Sequence, residues 1–286
     1  MNEFIKKHYK IMPNFRIKIP NKILKPIAQL FAKRISTVVF EIYEEYIMVK
    51  AMDTSHICLF VWRLSAIDAL IYKVILTKDA KGEAKKTLIM DSDEFLHIFH
   101  KTKKDAEISI YLQENGEYLF HIFDGFDSYY SVKSQTNEEY EEILDLEFIE
   151  KKRLLNITLP IARFYDMCMK VEPFTEVVRF IITTKLDFRI EMKDHFVRDT
   201  IRDIIIDNNF ICNCDGCSEL SSEIEMIFAL AYIKDIYYIK AINPKADCTL
   251  EFSEDSPLFM NLTIGEESYL KYVLAPRVEE GVDEYD

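Results

Sequence analysis

Apolar and polar residues alternate with period two through much of this chain, and a few short stretches with helical period interrupt them. Residues 46–59, YIMVKAMDTSHICL, carry the clearest signal. Ile47, Val49 and Ala51 alternate with outward-facing partners, as a strand covered on one face requires. Asp53, Thr54 and Ser55 form a break whose side chains can bond their own backbone and close a turn before a second strand. Similar patterns predict strands at 15–20, 107–113 and 117–123, the last two joined by the turn Glu114-Asn115-Gly116. Further strands are expected at 154–159, 175–184, 186–192, 237–242, 249–252, 258–264 and 269–274.

Four helices fit between them. The first starts at Asn21, a good N-cap residue, and has an apolar face of Ile23, Leu24, Ile27, Leu30 and Phe31. Pro26 is expected within about its first turn, where proline does least damage. The second begins near residues 91–93 with a stripe of Phe95, Leu96, Ile98 and Phe99. The third opens with Pro160 in its first turn and runs to about Val171. The fourth spans 222–234, capped by Ser221 or Ser222 with Glu225 in its first turn. Two halves of the chain therefore repeat one plan, which predicts an α+β fold with two similar domains.

Between the halves lies SQTNEEYEEILDLEFIEKK, residues 134–152, which is acidic and free of glycine. It fits a connector pinned to a surface by Ile143, Leu144, Leu146 and Phe148, and EEYEEIL also fits a short helix with a solvated face.

Apolar residues make up 49% of the 286, enough for a full core. No apolar run reaches the roughly 18 residues that cross a bilayer, and MNEFIKKHYKIMP does not read as a signal peptide. These features predict an intracellular protein whose six cysteines are reduced thiols. Cys58 and Cys168 sit in apolar patterns that suit small core residues. Cys212, Cys214 and Cys217, in CNCDGC, have two readings. They could supply thiolates to a metal, with Cys248 as a fourth ligand, in an acidic metalloprotein. The polar loop turning at Asp215-Gly216 fits better, since a structural zinc site usually shows two C-x-x-C-like pairs and here there is one crowded cluster. P-loop, dinucleotide-binding and H-E-x-x-H motifs are absent, as a non-enzymatic scaffold would have it.

Net charge is −13, which argues against nucleic acid until the charges are located. Acidic residues concentrate in 137–150 and in the final EEGVDEYD, while basic residues cluster in and just after the predicted helices. A protein whose two charge signs occupy different faces has this balance, and an ordinary acidic enzyme could share the negative total.

Two strings resemble one family. AMDTSHI, at 51–57, is similar to the first-domain signature of proliferating cell nuclear antigen (PCNA)-type sliding clamps. YVLAPRVEE, at 272–280, resembles the C-terminal strand and tail of the same family. The resemblance implies two DNA-clamp domains at 14–133 and 153–278, with helices lining a ring hole and antiparallel sheets outside. Residues 1–13 become an N-terminal extension, 134–152 an interdomain connector and 279–286 an acidic tail.

The resemblance also implies three surfaces. Duplex DNA would meet Lys22, Lys25, Lys33, Arg34, Lys101, Lys103, Lys104, Arg163, Lys170 and Lys234 without base readout. Short peptide motifs of polymerase, nuclease, ligase and clamp loader would dock on Met52, His56, Leu59, Leu144, Leu146, Val273, Leu274, Ala275 and Pro276. For Met52 and Leu59 plain core is the competing reading, and for His56 an ordinary surface histidine. Val273 stands where the family often has tyrosine. Subunits would join through strands at about 128–133 and 200–206, using Phe126, Tyr129, Tyr130, Ile201 and Ile204. The implied protein is a processivity factor in a probable three-subunit ring that needs no cofactor. It would sit in the nucleus of a eukaryote, the nucleoid region of an archaeon or a viral replication site. A specialised hetero-oligomeric clamp for damage signalling is the alternative within the fold.

Overall fold

The computed structural model describes residues 3–77, 84–135, 155–170, 172–173, 175–184, 188–191, 204–205, 223–252 and 256–277. The chain forms two compact units, Met1–Leu144 with Ala241–Asn243 and Thr263–Lys271, and Asp145–Lys240 with Pro244–Leu262 and Tyr272–Asp286.

A short helix α1 (Glu3–His8) comes first. Strand β1 (Ile11–Pro20) then leads into α2 (Asn21–Arg34), followed by β2 (Thr37–Ile42), β3 (Tyr46–Met52) and β4 (Cys58–Ser65). A 3-10 turn (Ala66–Asp68) and β5 (Ile71–Val74) come next. Strand β6 (Lys86–Asp91) leads into α3 (Ser92–Phe99) and then β7 (Glu107–Gln113), β8 (Tyr118–Phe123) and β9 (Asp127–Val132). The same order recurs as β10 (Leu155–Pro160), α4 (Ile161–Met169), β11 (Val177–Ile182), β12 (Phe188–Glu191) and β13 (Ile204–Ile205). It recurs again as β14 (Ile224–Ala229), α5 (Leu230–Ile233) with α6 (Ile236–Ile242), β15 (Asp247–Phe252), β16 (Leu258–Thr263) and β17 (Tyr269–Leu274). A strand, a helical segment and a three-stranded meander thus occur four times.

Pairing is crossed within each pair of motifs. The first strand of one motif extends the meander of the other, giving the orders β1-β7-β8-β9, β6-β2-β3-β4, β10-β15-β16-β17 and β14-β11-β12-β13. Strand β5 adds to the outer side of β1. The register repeats as well. The last residue of each first strand faces the first residue of the partner meander, in Pro20↔Glu107, Asp91↔Thr37, Pro160↔Asp247 and Ala229↔Val177.

The next residue in each case opens the helix, and its amide crosses to the partner motif. Asn21 N donates to Ala106 O, Ser92 N to Ser36 O and Ile161 N to Ala246 O, each at 2.9 Å, and Leu230 N donates to Glu176 O at 2.8 Å. Helix N-termini leave amides without intrahelical partners, and here one is satisfied by the other motif's backbone. This explains caps without side-chain bonds at Pro20, Pro160 and Ala229. Only Asp91 also caps by side chain, accepting from the amides of Asp93 and Glu94.

Several expectations need correction. Asn21 is the first helical residue rather than the cap, and its buried side chain donates to Lys103 O at 2.7 Å. Pro26 lies in the second turn, buried, and the helix continues to Arg34. Pro160 ends β10 instead of opening α4. The helix expected at 222–234 begins only at Leu230, because Ile224, Met226 and Phe228 alternate into the core as strand β14. The strand expected at 237–242 is helix α6, which buries Ile236 and Ile239 one turn apart. Strand β1 starts at Ile11, so part of the presumed extension is sheet.

Each unit has an aromatic centre. In the first, Phe95 lies edge-on to Phe40 at 4.9 Å and to Phe99 at 5.0 Å, while Phe31 meets Trp62 at 6.4 Å. In the second, Phe180 contacts Phe164, Phe188 and Phe228 at 5.8, 5.5 and 5.4 Å. Such contacts add to area burial by about 0.5–1.5 kcal/mol per pair. Cys168 and Cys248 are fully buried in the second unit, and burial pushes both thiols up.

Within the first unit Asp68 holds a distant turn. Its carboxylate accepts from the amides of Glu266, Glu267 and Ser268 and from the Ser268 hydroxyl, at 2.6–3.1 Å. Burial would raise its pKa, but these four donors outweigh burial and hold it below the ordinary carboxylate value. Gly265 admits this approach, since a Cβ there would lie 2.1 Å from Asp68 Oδ1. Gly265→Ala is expected to cost about 1–3 kcal/mol of unfolding free energy through overpacking, measurable by denaturant titration. A carboxylate with a lowered folded pKa adds stability above its unfolded pKa and loses it as pH falls through the folded value. Wild-type protein should therefore lose more stability than Asp68→Asn on acidification, and parallel acid profiles would refute the Asp68 lock.

Candidate nucleic-acid and partner interfaces

Helix α2 buries eight of its fourteen residues, Asn21, Ile23, Leu24, Pro26, Ile27, Ala28, Leu30 and Phe31. The remaining face carries Lys22, Lys25, Gln29 and Lys33 at helical spacing. No acidic residue occurs anywhere in α2. Lys25 has a structural duty, because its Nζ donates to the carbonyls of His100 and Thr102 at 3.2 and 3.0 Å. A cation at these carbonyls, just past α3, complements the negative end of that helix. Lys22 and Lys33 are exposed, and Arg34 is half-buried.

The exposed face of α3 is different. It presents Asp93, Glu94, His97 and His100, and its cations Lys101, Lys103 and Lys104 follow in an exposed loop. Lys103 Nζ donates to Asp124 O at 3.1 Å, which ties this loop to the β8–β9 turn.

In the second unit, Arg163 and Lys170 are exposed. Lys234 caps α5 and pairs with Glu172 at 2.5 Å. Lys240 pairs with Asp166 at 2.6 Å and lies 4.6 Å from the ring centre of Tyr165. Sequence reasoning missed Lys240 because it took 237–242 as a strand, and the i, i+3 spacing of Ile236 and Ile239 was the available signal. Carboxylates thus balance two cations of this helical face, whereas the α2 stripe has none on its own helix.

The loop after β3 depends on one residue. Asp53, 3% exposed, accepts from the amides of Ile57 and Cys58 at 2.7 Å and of Ser55 at 3.4 Å. Its own amide bonds Cys58 O at 2.8 Å, and His56 N bonds Asp53 O at 3.0 Å. The resulting tight turn forces His56 to φ +57°, a left-handed conformation uncommon outside glycine. It displays His56 and Ile57 to solvent, with Met52 half-buried beside the turn. Ile57 was not anticipated, since only its exposure distinguishes it from the strand residues around it.

Leu59 is buried in the first unit. Val273 and Leu274 are buried in the second, while Ala275 and Pro276 are half-buried. The tail is fixed there by Arg277 N donating to Ile227 O at 2.7 Å. Leu144, Leu146, Ile201 and the cysteines at 212, 214 and 217 lie outside the described residues, as does the connector beyond Gln135. Its start is tied to β6, with Gln135 N donating to Ile89 O at 2.9 Å and Ile89 N to Ser134 Oγ at 3.0 Å. Ile204 falls on β13, whose side chains are likewise not described. Among the described residues no cluster of three or more potential metal ligands occurs, and no helix is long and apolar enough to cross a membrane.

Strand β9 is the last strand of its sheet among the described residues. Phe126 is 80% exposed at its start and Tyr130 is partly exposed along it. Tyr129 points to the other face, where it stacks on His121 at 5.0 Å.

No family model matches the chain. It is 24% identical over 279 residues to the DNA polymerase sliding clamp of Pyrococcus horikoshii, covering 90% of this chain and 96% of that protein. Its fold resembles the crystal structure of a PCNA2–PCNA3 complex from Sulfolobus tokodaii, with TM-score 0.74 and 13% identity over 92% of this chain and 100% of that one. It also resembles A. fulgidus PCNA bound to the C-terminal region of FEN-1, with TM-score 0.75 and 14% identity over 93% and 99% of the two chains. The sequence likeness is thus to sliding clamps over most of the chain, and the solved structures share its fold.

Asp53→Ala leaves several amides of the turn without their acceptor. It is expected to destabilise the protein by about 1–3 kcal/mol and to increase hydrogen exchange at Ile57 and Cys58. Unchanged protection of those amides would count against this account of the loop.

Proposed function

We propose that this chain, a PCNA-type clamp by sequence likeness and by fold, is a subunit of a ring that encircles duplex DNA and tethers replication and repair proteins to it. The observation that carries the reading is helix α2. It places Lys22, Lys25, Lys33 and Arg34 on a helix without a single carboxylate, in a chain whose net charge is −13. A cationic helix surface on an acidic protein suits phosphates and no particular base sequence. Charge contacts of this kind hold a duplex while letting it slide.

Three subunits would close the ring, with the β9 edge of one meeting an edge strand of the next and leaving no strand unpaired. Phe126 and Tyr130 lie along that edge. Polymerase, nuclease, ligase and a clamp loader would be held through short peptides. In the first unit the contacts offered to them are exposed His56 and Ile57 beside Met52, and in the second they are half-buried Ala275 and Pro276. The subunit is a scaffold in this reading, and its chemistry is supplied by what it tethers. Its place is wherever DNA is being copied.

Retention on DNA tests the reading. Loaded protein should stay on a nicked circle and slip from the same duplex once linearised, with a native mass near three subunits. Equal loss from circle and linear duplex would contradict an encircling ring. Lys22→Ala with Lys33→Ala should reduce the slope of log affinity against log salt by about 2, roughly one per phosphate contact removed. Arg163→Ala should change it by well under about 1, because the helical face around it already carries paired carboxylates.

A further inference from the structure

Helix α1, residues 3–8, docks on the sheet of the first unit. Ile5 of α1 is completely buried against Tyr111 of β7 and Leu119 of β8. Phe4 stacks on His8 at 4.1 Å and meets the ring of Tyr129, on β9, at 5.0 Å. Tyr9 approaches the same ring at 6.0 Å, and Lys10 O accepts from Glu114 N at 2.8 Å. Tyr129 is therefore held between α1 and His121, whose Nε2 lies 2.6 Å from Asp127 Oδ1 at the start of β9. The segment spans the sheet face from β7 to its terminal strand.

We propose that residues 3–9 are an assembly element that braces edge strand β9 for pairing with a second copy of this chain. The proposal rests on the ring reading above and adds a part to it. An edge strand pairs well only when its backbone is held in one extended shape, because any freedom it keeps must be lost on association. Among the described residues strand β9 has a neighbouring strand on one side, β8, and α1 supplies support from the face. The charges favour another copy as the occupant. Lys6, Lys7 and Lys10 are exposed on this segment, against a single acidic residue, Glu3, in a chain of net charge −13. They lower the repulsion that two such acidic subunits meet as they approach.

Sedimentation equilibrium of the full-length chain without DNA, beside full-length Ile5→Asp and Phe4→Ala, tests this. Wild-type protein should assemble, and Ile5→Asp should raise the subunit dissociation constant by about tenfold or more, with Phe4→Ala shifting it in the same direction. Phe4 is 44% exposed, so Phe4→Ala leaves the core intact and decides the matter if Ile5→Asp fails to fold. Circular dichroism confirms the fold of each variant. Wild-type assembly matched by folded variants overturns the role of α1 and leaves the ring reading standing. Wild-type protein that remains monomeric at every concentration overturns both.

Discussion

One backbone hydrogen bond, made four times, organises the rest of this structure. The amide that opens each helix donates to the carbonyl that precedes the partner motif's meander, at 2.8–2.9 Å in every case. The bond fixes where the helix starts, which strand it follows and which meander that strand extends. Two motifs joined this way cannot slide past one another, because a one-residue slip would turn every core side chain of the shared strand outward. Since backbone groups make the joint, the residue at the helix start is free to vary. It is Asn21, Ser92, Ile161 and Leu230 in the four copies. A fold specified at this level tolerates wide sequence change, which agrees with a TM-score of 0.74 at 13% identity.

The joint also disposes of the helix faces. Each helix buries one side on its unit and leaves the other to solvent, so the charge of that outer side is open to functional choice. In α2 its charged residues are all cationic, in α3 acidic residues and histidines come first, and on the α4–α6 surface Lys240 and Lys234 are matched by Asp166 and Glu172. The net charge of −13 concealed this division. The grip on phosphate proposed for α2 rests on this distribution rather than on the total.

Legibility in the sequence followed the strength of the local pattern. The hairpin of β3 and β4 could be read because alternation and the Asp53 turn agree, and β7 and β17 have the expected limits because both alternate between clear breaks. The segment from Ile224 to Ile242 was misread in both parts. Ser221 and Ser222 ahead of an apolar run mimic a helix cap, although the Ile224, Met226 and Phe228 alternation is that of a strand. IYYIKAI is rich in β-branched and aromatic residues, and tertiary packing of Ile236 and Ile239 overrides that propensity. The fourfold repeat itself was invisible, because it resides in hydrogen-bond register. The cationic stripe of α2 was legible, since helical period and lysine spacing coincide. The second duty of Lys25 was not, because its carbonyl partners lie 75 and 77 residues away.

The account stands or falls on what α2 faces when the protein is on DNA. Electron cryomicroscopy of the full-length chain assembled on a closed duplex circle measures this directly. The account predicts density for a closed ring with the Lys22, Lys25 and Lys33 face of α2 turned to the duplex. A complex in which that face is turned to solvent, or in which DNA runs along the outer surface of the sheets, would contradict it.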